Sequence, residues 1–211
     1  LLPRKRRLSM PDGGGKPAIG VNLECEAPVV TPQHGPFWVV GRARSGRSTA
    51  LETIAWALAS VVAGADGDLV LVAAGESRSP SAARTTPPWD ARPAADALAD
   101  LGTRRIALLA VDDAHRLHEE HWAALGRVVA TANGRPLVAL AAETALLDRW
   151  NPEVATMLGH GSGLFLSPDP EEDGRLLGAE LPRYRPFAMS AGRGYLVNRG
   201  ERPRAIQLAM R

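Results

Sequence analysis

Cysteine is nearly absent from this sequence: Cys25 is the single one in 211 residues. One thiol closes no disulfide and supplies no Cys-based zinc site, so a reducing, cytoplasmic setting is expected. Aromatic residues are scarce at 5%, while 21 Gly and 17 Pro accompany abundant Ala, a bias of the kind a GC-rich genome produces. No run approaches the ~20 apolar residues of a membrane span, and no signal-peptide pattern is present. The sequence starts with Leu1 rather than Met, which reads as a piece of a longer polypeptide whose targeting segments lie elsewhere. An excess of one charge is missing too: 25 Lys and Arg face 23 Asp and Glu, for a formal net charge of +2. That balance argues against a nucleic-acid-coating role, which rests on clustered cations that displace counterions from phosphates. The one dense basic run, Arg4, Lys5, Arg6 and Arg7, reads as a solvated linker.

What is present is an ordinary globular composition, 45% hydrophobic and 23% charged, long enough for one domain with a real core. Residues 1–15 read as linker and 16–211 as the domain. The apolar stretch Ala18–Leu23 suggests an edge strand leading into it. Phe37–Val40, bounded by Gly-Pro before and Gly41 after, reads as a buried strand. Leu51, Ile54, Ala55, Leu58, Val61 and Val62 then recur at helical spacing until Gly64. Leu69–Ala73, Arg105–Val111, Leu137–Ala141 and Gly163–Leu166 are further strand signals. Helices are expected at Ala94–Leu101, around Trp122 to Val129 up to Asn133-Gly134, and in a short piece from Glu143. The Ser/Pro/Thr-rich stretch Glu76–Pro93 reads as a mobile excursion. Gly194–Val197 and Arg204–Leu208 close the chain as short strands. Strands alternating with helices predict an α/β fold with a mostly parallel sheet and helices on both faces. There is no internal repeat.

The string Gly41-Arg-Ala-Arg-Ser45-Gly46-Arg47-Ser48-Thr49 matches G-x-x-x-x-G-K-[ST] at both glycines and the hydroxyl, with Arg47 in the lysine position. Glycines let successive N–H groups turn inward toward phosphate oxygens, and the following helix adds its positive N-terminal dipole. In such a loop Gly41, Ser45, Gly46, Arg47, Ser48 and Thr49 would hold the phosphates of ATP, and the Ser48 hydroxyl would ligate Mg²⁺. The string gains force from its position between an apolar strand and an amphipathic helix. Arginine keeps the lysine's charge but is planar and forked, so binding is expected to weaken and fast hydrolysis to be impaired.

The strand Ile106–Val111 ends in Asp112-Asp113. An acid at the C-terminal end of an apolar strand suits Mg²⁺ held through its water shell, which makes Asp112 the metal-side candidate. Asp113 stands where many ATPases carry a water-activating Glu, and is the candidate catalytic base, one methylene short. The pair would equally serve as N-caps of a helix beginning near Ala114.

With these residues in view, the sequence resembles the ATPase domains of the FtsK/SpoIIIE-type motors, and most the C-terminal ATPase domain of an EccC-type type VII secretion ATPase. The resemblance runs from about Lys16 to the end. It is carried by Ala18-Ile-Gly-Val, Gly46-Arg-Ser-Thr-Ala-Leu51, Val111-Asp112-Asp113-Ala114, Leu164-Phe-Leu-Ser-Pro168 with Asp173-Gly174 and Leu181-Pro182, and Gly192-Arg193-Gly194-Tyr195-Leu-Val with Ile206-Gln207. It implies a RecA-like P-loop fold, tandem ATPase domains in one membrane-anchored chain at the cytoplasmic face of the membrane, and homo-hexameric rings. The cargo it implies is WXG-type secreted protein, bound through a C-terminal signal. Arg47, Asp113 and the Ala141-Ala142-Glu143-Thr144 stretch, which lacks a polar sensor Gln, are similar to degenerate domains of that family that regulate or recruit. A nucleotide-free peptide- or helix-binding module and a DNA-translocase relative are the alternatives. Low net charge and the absence of a winged-helix reader count against DNA.

Other residues carry weaker signals. His115, His118 and His121 share one helical face if the helix starts near Ala114, and read as a solvated face rather than a zinc set. Arg193 between glycines could be an arginine finger, with a surface turn before a strand as the plainer reading. Trp38, Trp56 and Trp122 are expected in the core. Trp150 and Met157 border a loop and could line a groove for a partner helix.

Overall fold

Apolar runs that continue without alternation build the centre of the sheet. The computed structural model describes residues 18–24, 28–30, 35–62, 67–74, 90–99, 105–131, 137–169, 173–182, 192–198 and 200–209. In chain order the strands are β1 Ala18–Asn22, β2 Pro28–Val30, β3 Pro36–Gly41, β4 Asp68–Ala73, β5 Asp90–Pro93, β6 Ile106–Asp112, β7 Leu137–Glu143, β8 Ser162–Leu166, β9 Arg193–Val197 and β10 Arg204–Leu208. The helices are α1 Arg47–Val61, α2 Ala94–Ala99, α3 Glu119–Thr131 and α4 Pro152–His160.

These strands form one sheet in the order β2-β1-β10-β9-β8-β3-β7-β6-β4-β5. The six from β8 to β5 run parallel, and β9, β10, β1 and β2 add an antiparallel wing. The fold is therefore an α/β, mostly parallel sheet with helices on both faces, as the alternating pattern predicts. β3 and β7 are buried along almost their whole length, which explains their uninterrupted Val, Ala and Leu.

Successive residues of a strand serve opposite faces. Phe37 and Val39 pack with Leu51, Ile54 and Leu58 of α1, while Trp38 and Val40 pack with α3 and α4 through Trp122, Leu125, Val154 and Met157. Each of these large side chains contributes about 1.5–3 kcal/mol on burial. Trp38 and Trp122 stack with ring centroids 6.3 Å apart, and the Trp38 indole N–H donates to the Met157 carbonyl at 3.4 Å.

Several expectations change. β1 lies inside the sheet rather than at its edge, because β2 adds outside it. Most of 76–93 lies outside the described residues, but Asp90–Pro93 forms the outermost parallel strand against β4. No α-helix starts at Ala114. Asp113 adopts left-handed geometry, φ 51°, makes no side-chain cap and leads into a 3-10 turn over Ala114–Arg116. A 3-10 turn, Thr144–Leu146, also replaces the short helix after Glu143. The helix there is α4, started by Asn151, whose side chain accepts from the N–H groups of Glu153 and Val154, with Pro152 in its first turn. Met157 is thus buried within a helix rather than bordering a loop. Trp56 is only half-buried. Gly64, Leu101 and Asn133-Gly134, expected as helix ends, lie outside the described residues, as do 1–15.

Candidate functional site

Crossovers in a parallel sheet bring the loops after its strands to one edge, where ligands of such sheets bind. Three described non-glycine residues have positive φ: Arg44 at 63°, Asp113 at 51° and Ser167 at 47°. They follow β3, β6 and β8, so all three lie at that one edge. Left-handed geometry costs an ordinary residue about 1–3 kcal/mol and gathers at functional sites.

The loop Gly41–Gly46 leads directly into α1. Gly46 is the N-cap, at φ 91°, and no side chain caps the helix, which leaves the first-turn amides and the dipole's positive end facing the loop. Gly41 is held close: a Cβ there would lie 2.6 Å from the Leu166 carbonyl and 2.7 Å from Ser45 Oγ. Ser45 Oγ is itself buried without a hydrogen-bond partner.

Register decides what surrounds Arg47. In the parallel pairs Gly41 lies level with Glu143 of β7, and Ala73 level with Asp112 of β6. The Arg47 side chain turns back over its own loop. Nη1 donates to the Gly41 carbonyl at 2.7 Å and to Glu143 Oε2 at 3.3 Å, and Nη2 lies 3.5 Å from Asp113 Oδ1. Only 12% of that side chain is exposed. The cation of the loop is therefore already matched by two carboxylates.

Asp112 and Ser48 lie together, the Ser48 hydroxyl hydrogen-bonding to the Asp112 carboxylate. Burial pushes the Asp112 carboxyl above its ordinary range and the Asp113 charge adds to this, while the Ser48 bond and Arg47 pull it back. Asp112 Oδ1 also accepts from the Asp113 N–H at 3.0 Å. A divalent ion between Ser48 and Asp112 fits this chemistry, a hydroxyl beside a carboxylate whose burial disfavours its bare charge. Uncapped amides and the partnerless Ser45 hydroxyl fit phosphate oxygens. Arg47 fits only if it leaves its two acids.

Glu143 and His115 are the residues that sequence reasoning did not assign to the site. The Glu143 N–H donates to His115 Nδ1 at 3.1 Å, and burial lowers the His115 pKa from its usual value. The only signal for Glu143 was that an acid stands at the end of β7 where a polar Gln was expected. The three histidines do not share a helical face: His115 lies in the 3-10 turn, His118 precedes α3, and only His118 and His121 touch, edge to face. No group of three metal-ligating residues exists among the described residues. Arg193 begins β9 after Gly192 at φ 77°, and its Nε donates to Gln207 Oε1 at 2.9 Å within its own sheet.

Solved structures share this architecture. The cytoplasmic domain of the type VII secretion ATPase EccC from Thermomonospora curvata aligns over 94% of this chain with a TM-score of 0.66 and 22% identity. The cytoplasmic domain of EssC aligns over 100% with a TM-score of 0.74 and 14% identity. EccC ATPases 2 and 3 from T. curvata, solved in complex with a signal sequence peptide, align over 95% at 0.64 and 21%. This chain has the EccC/EssC ATPase-domain fold. It spans 26% of that EccC chain and 48% of that EssC chain. No protein-family model and no curated protein matches it.

Within this EccC/EssC-type fold, Trp150 is 94% exposed and Leu146 57% exposed. Trp150 borders a groove of about 360 Å³ together with Leu117, Trp122, Asp148 and Pro152. The groove opens beside His115, in the turn that follows β6. Among the described residues, no helix is long and apolar enough to cross a membrane.

Proposed function

We propose that this chain is a degenerate P-loop ATPase domain of a type VII secretion motor that binds Mg·ATP weakly, hydrolyses it poorly, and serves substrate recognition or ring regulation in protein export. The observation that carries this reading is Arg47, turned from the loop opening onto Gly41, Glu143 and Asp113. Anion binding must first break those contacts, and their loss offsets part of what phosphate would return.

In this reading the amides of Gly41–Thr49 hold phosphate, and Ser48 and Asp112 hold Mg²⁺. The metal supplies charge neutralisation at the phosphates. Asp113, the base in this reading, faces Arg47 at 3.5 Å. A short carboxylate engaged with a guanidinium makes a poor general base. The fold shared with EccC and EssC supports a place among tandem ATPase domains of a membrane-anchored hexamer at the cytoplasmic face. The EccC complex with a signal sequence peptide supports a C-terminal signal of WXG-type cargo as partner.

Steady-state ATP turnover tests the catalytic part. Enzymes commonly turn over at about 1–10³ s⁻¹, and this domain is expected below about 0.01 s⁻¹ on the same scale. Turnover near 1 s⁻¹ would overturn the proposal of a degenerate site.

A second reading, a nucleotide-free peptide- or helix-binding module, is favoured by one observation: the fully exposed Trp150 beside its groove. The two readings separate on thermal stability. Mg·ATP raises the melting temperature of the first and leaves the second unchanged.

A further inference from the structure

The phosphate loop carries a built-in counter-ion. Because Gly41 and Glu143 are level across the β3–β7 pair, the Glu143 carboxylate reaches Arg47 Nη1 at 3.3 Å, while the same Nη1 donates to the Gly41 carbonyl at 2.7 Å. The Glu143 main chain is held in turn, since its N–H donates to His115 Nδ1 at 3.1 Å. The guanidinium thus faces two acids, Asp113 and Glu143, and Asp112 lies close enough to feel its charge. Arg42, in the same loop, is paired with Asp169 at 3.1 Å beyond β8.

We propose that Glu143 makes the loop selective for metal-bound polyphosphate by holding Arg47 as its own cation and rejecting metal-free anions. This rests on the reading of Gly41–Thr49 as a phosphate loop. A carboxylate and a phosphate compete for the same planar donors of an arginine, and the acid already in place wins unless other positive charge arrives. A divalent ion on Ser48 and Asp112 brings that charge. A free anion meets an excess of carboxylate in a partly buried space, where like charges repel far more than in water. Glu143 is in this sense a specificity-determining residue, since it discriminates between the two forms of one ligand.

The test is calorimetric titration of inorganic pyrophosphate into the whole chain, with EDTA and then with excess Mg²⁺. The parent is compared with Glu143→Gln, with Glu143→Ala as a second neutral variant, and with Glu119→Gln as a control for net charge. Circular dichroism establishes that each is folded. In EDTA the two Glu143 variants are expected to bind at least about tenfold tighter than the parent, and Glu119→Gln to match the parent. With Mg²⁺ the gap between parent and Glu143 variants narrows to within about threefold, because the metal supplies much of the missing charge while Asp113 still engages Arg47 in every form. Equal affinity of parent and both Glu143 variants in EDTA, with binding present under Mg²⁺, overturns the selectivity proposal and leaves the phosphate loop intact. An equal gain from Glu119→Gln also overturns it, by reducing the effect to net charge. Absence of binding by every form under both conditions overturns the phosphate-loop reading itself.

Discussion

Replacing Arg47 by Met removes the guanidinium while keeping the length of its apolar stem. The structure sets the expected size of the effect. At 3.3 Å, a unit charge pair in an effective dielectric of about 20 attracts by roughly 5 kcal/mol. That figure is gross, because desolvation of both partners opposes it and the Glu143 and Asp113 side chains are 23% and 26% exposed. Fully exposed pairs contribute about 0–1 kcal/mol, and breaking a fully buried one costs about 3–5 kcal/mol. Arg47, at 12% exposure, falls between these limits, so Arg47→Met is expected to destabilise by about 2 kcal/mol. In urea this is a midpoint shift of about 0.7–1 M with an unchanged slope, and in a thermal melt a drop of about 4–8 °C. The double-mutant cycle with Glu143→Gln should return a coupling of about 1 kcal/mol, since the pair is one of three Arg47 contacts. Additive single mutants, or an Arg47→Met chain as stable as the parent, would refute the claim that the loop cation is internally matched.

Three further outcomes follow from the same edge of the sheet. Burial raises the Asp112 pKa from 3.8, so its favourable contribution is full below that value and is lost as pH rises through the folded-state pKa. Asp112→Asn should therefore melt higher than the parent at pH 7 and lose that advantage near pH ~3; a lower melting point at pH 7 would contradict this. His115 is shifted the other way, below 6.5, so the unfolded chain takes up the proton first and stability falls as pH drops below that value. Urea midpoints measured across pH 5 to 8 should show that loss in the parent and less of it in His115→Gln. Gly41→Ala places a Cβ against the Leu166 carbonyl, whereas Gly46 has open space and only its positive φ to satisfy. Denaturant melts should find Gly41→Ala the more damaging of the two, by about 1–3 kcal/mol of overpacking, and the reverse order would be wrong for this loop.

The sequence carried the order strand, glycine loop and helix clearly because the three are contiguous, and local chemistry alone places Ser48 at the start of α1. It carried the end of β6 at Asp112 equally well, since that strand is a single apolar run ending in an acid. It could not carry Glu143. That residue is 96 positions from Arg47, and the contact exists only because β7 is laid beside β3 in register. The helix at Pro152–His160 was visible in principle, with Asn151 as cap and Pro152 and Glu153 in the first turn, but nine residues give little periodicity to read. β5 was hidden because Pro93 and the Ser/Pro-rich segment before it read as loop, although an edge strand tolerates a residue without an N–H. Asp113 misled as a helix cap. Its left-handed backbone breaks the chain's path there, and side-chain type alone does not reveal that.

The most direct test of the central claim is a calorimetric titration of Mg·ATP into the chain and into Arg47→Lys. A domain whose loop arginine is held by Glu143 and Asp113 is predicted to bind with a Kd weaker than about 100 µM, and the lysine, a point charge without the forked grip on two acids, to bind at least about tenfold tighter. Low-micromolar binding by the parent that Arg47→Lys leaves unchanged would contradict the account.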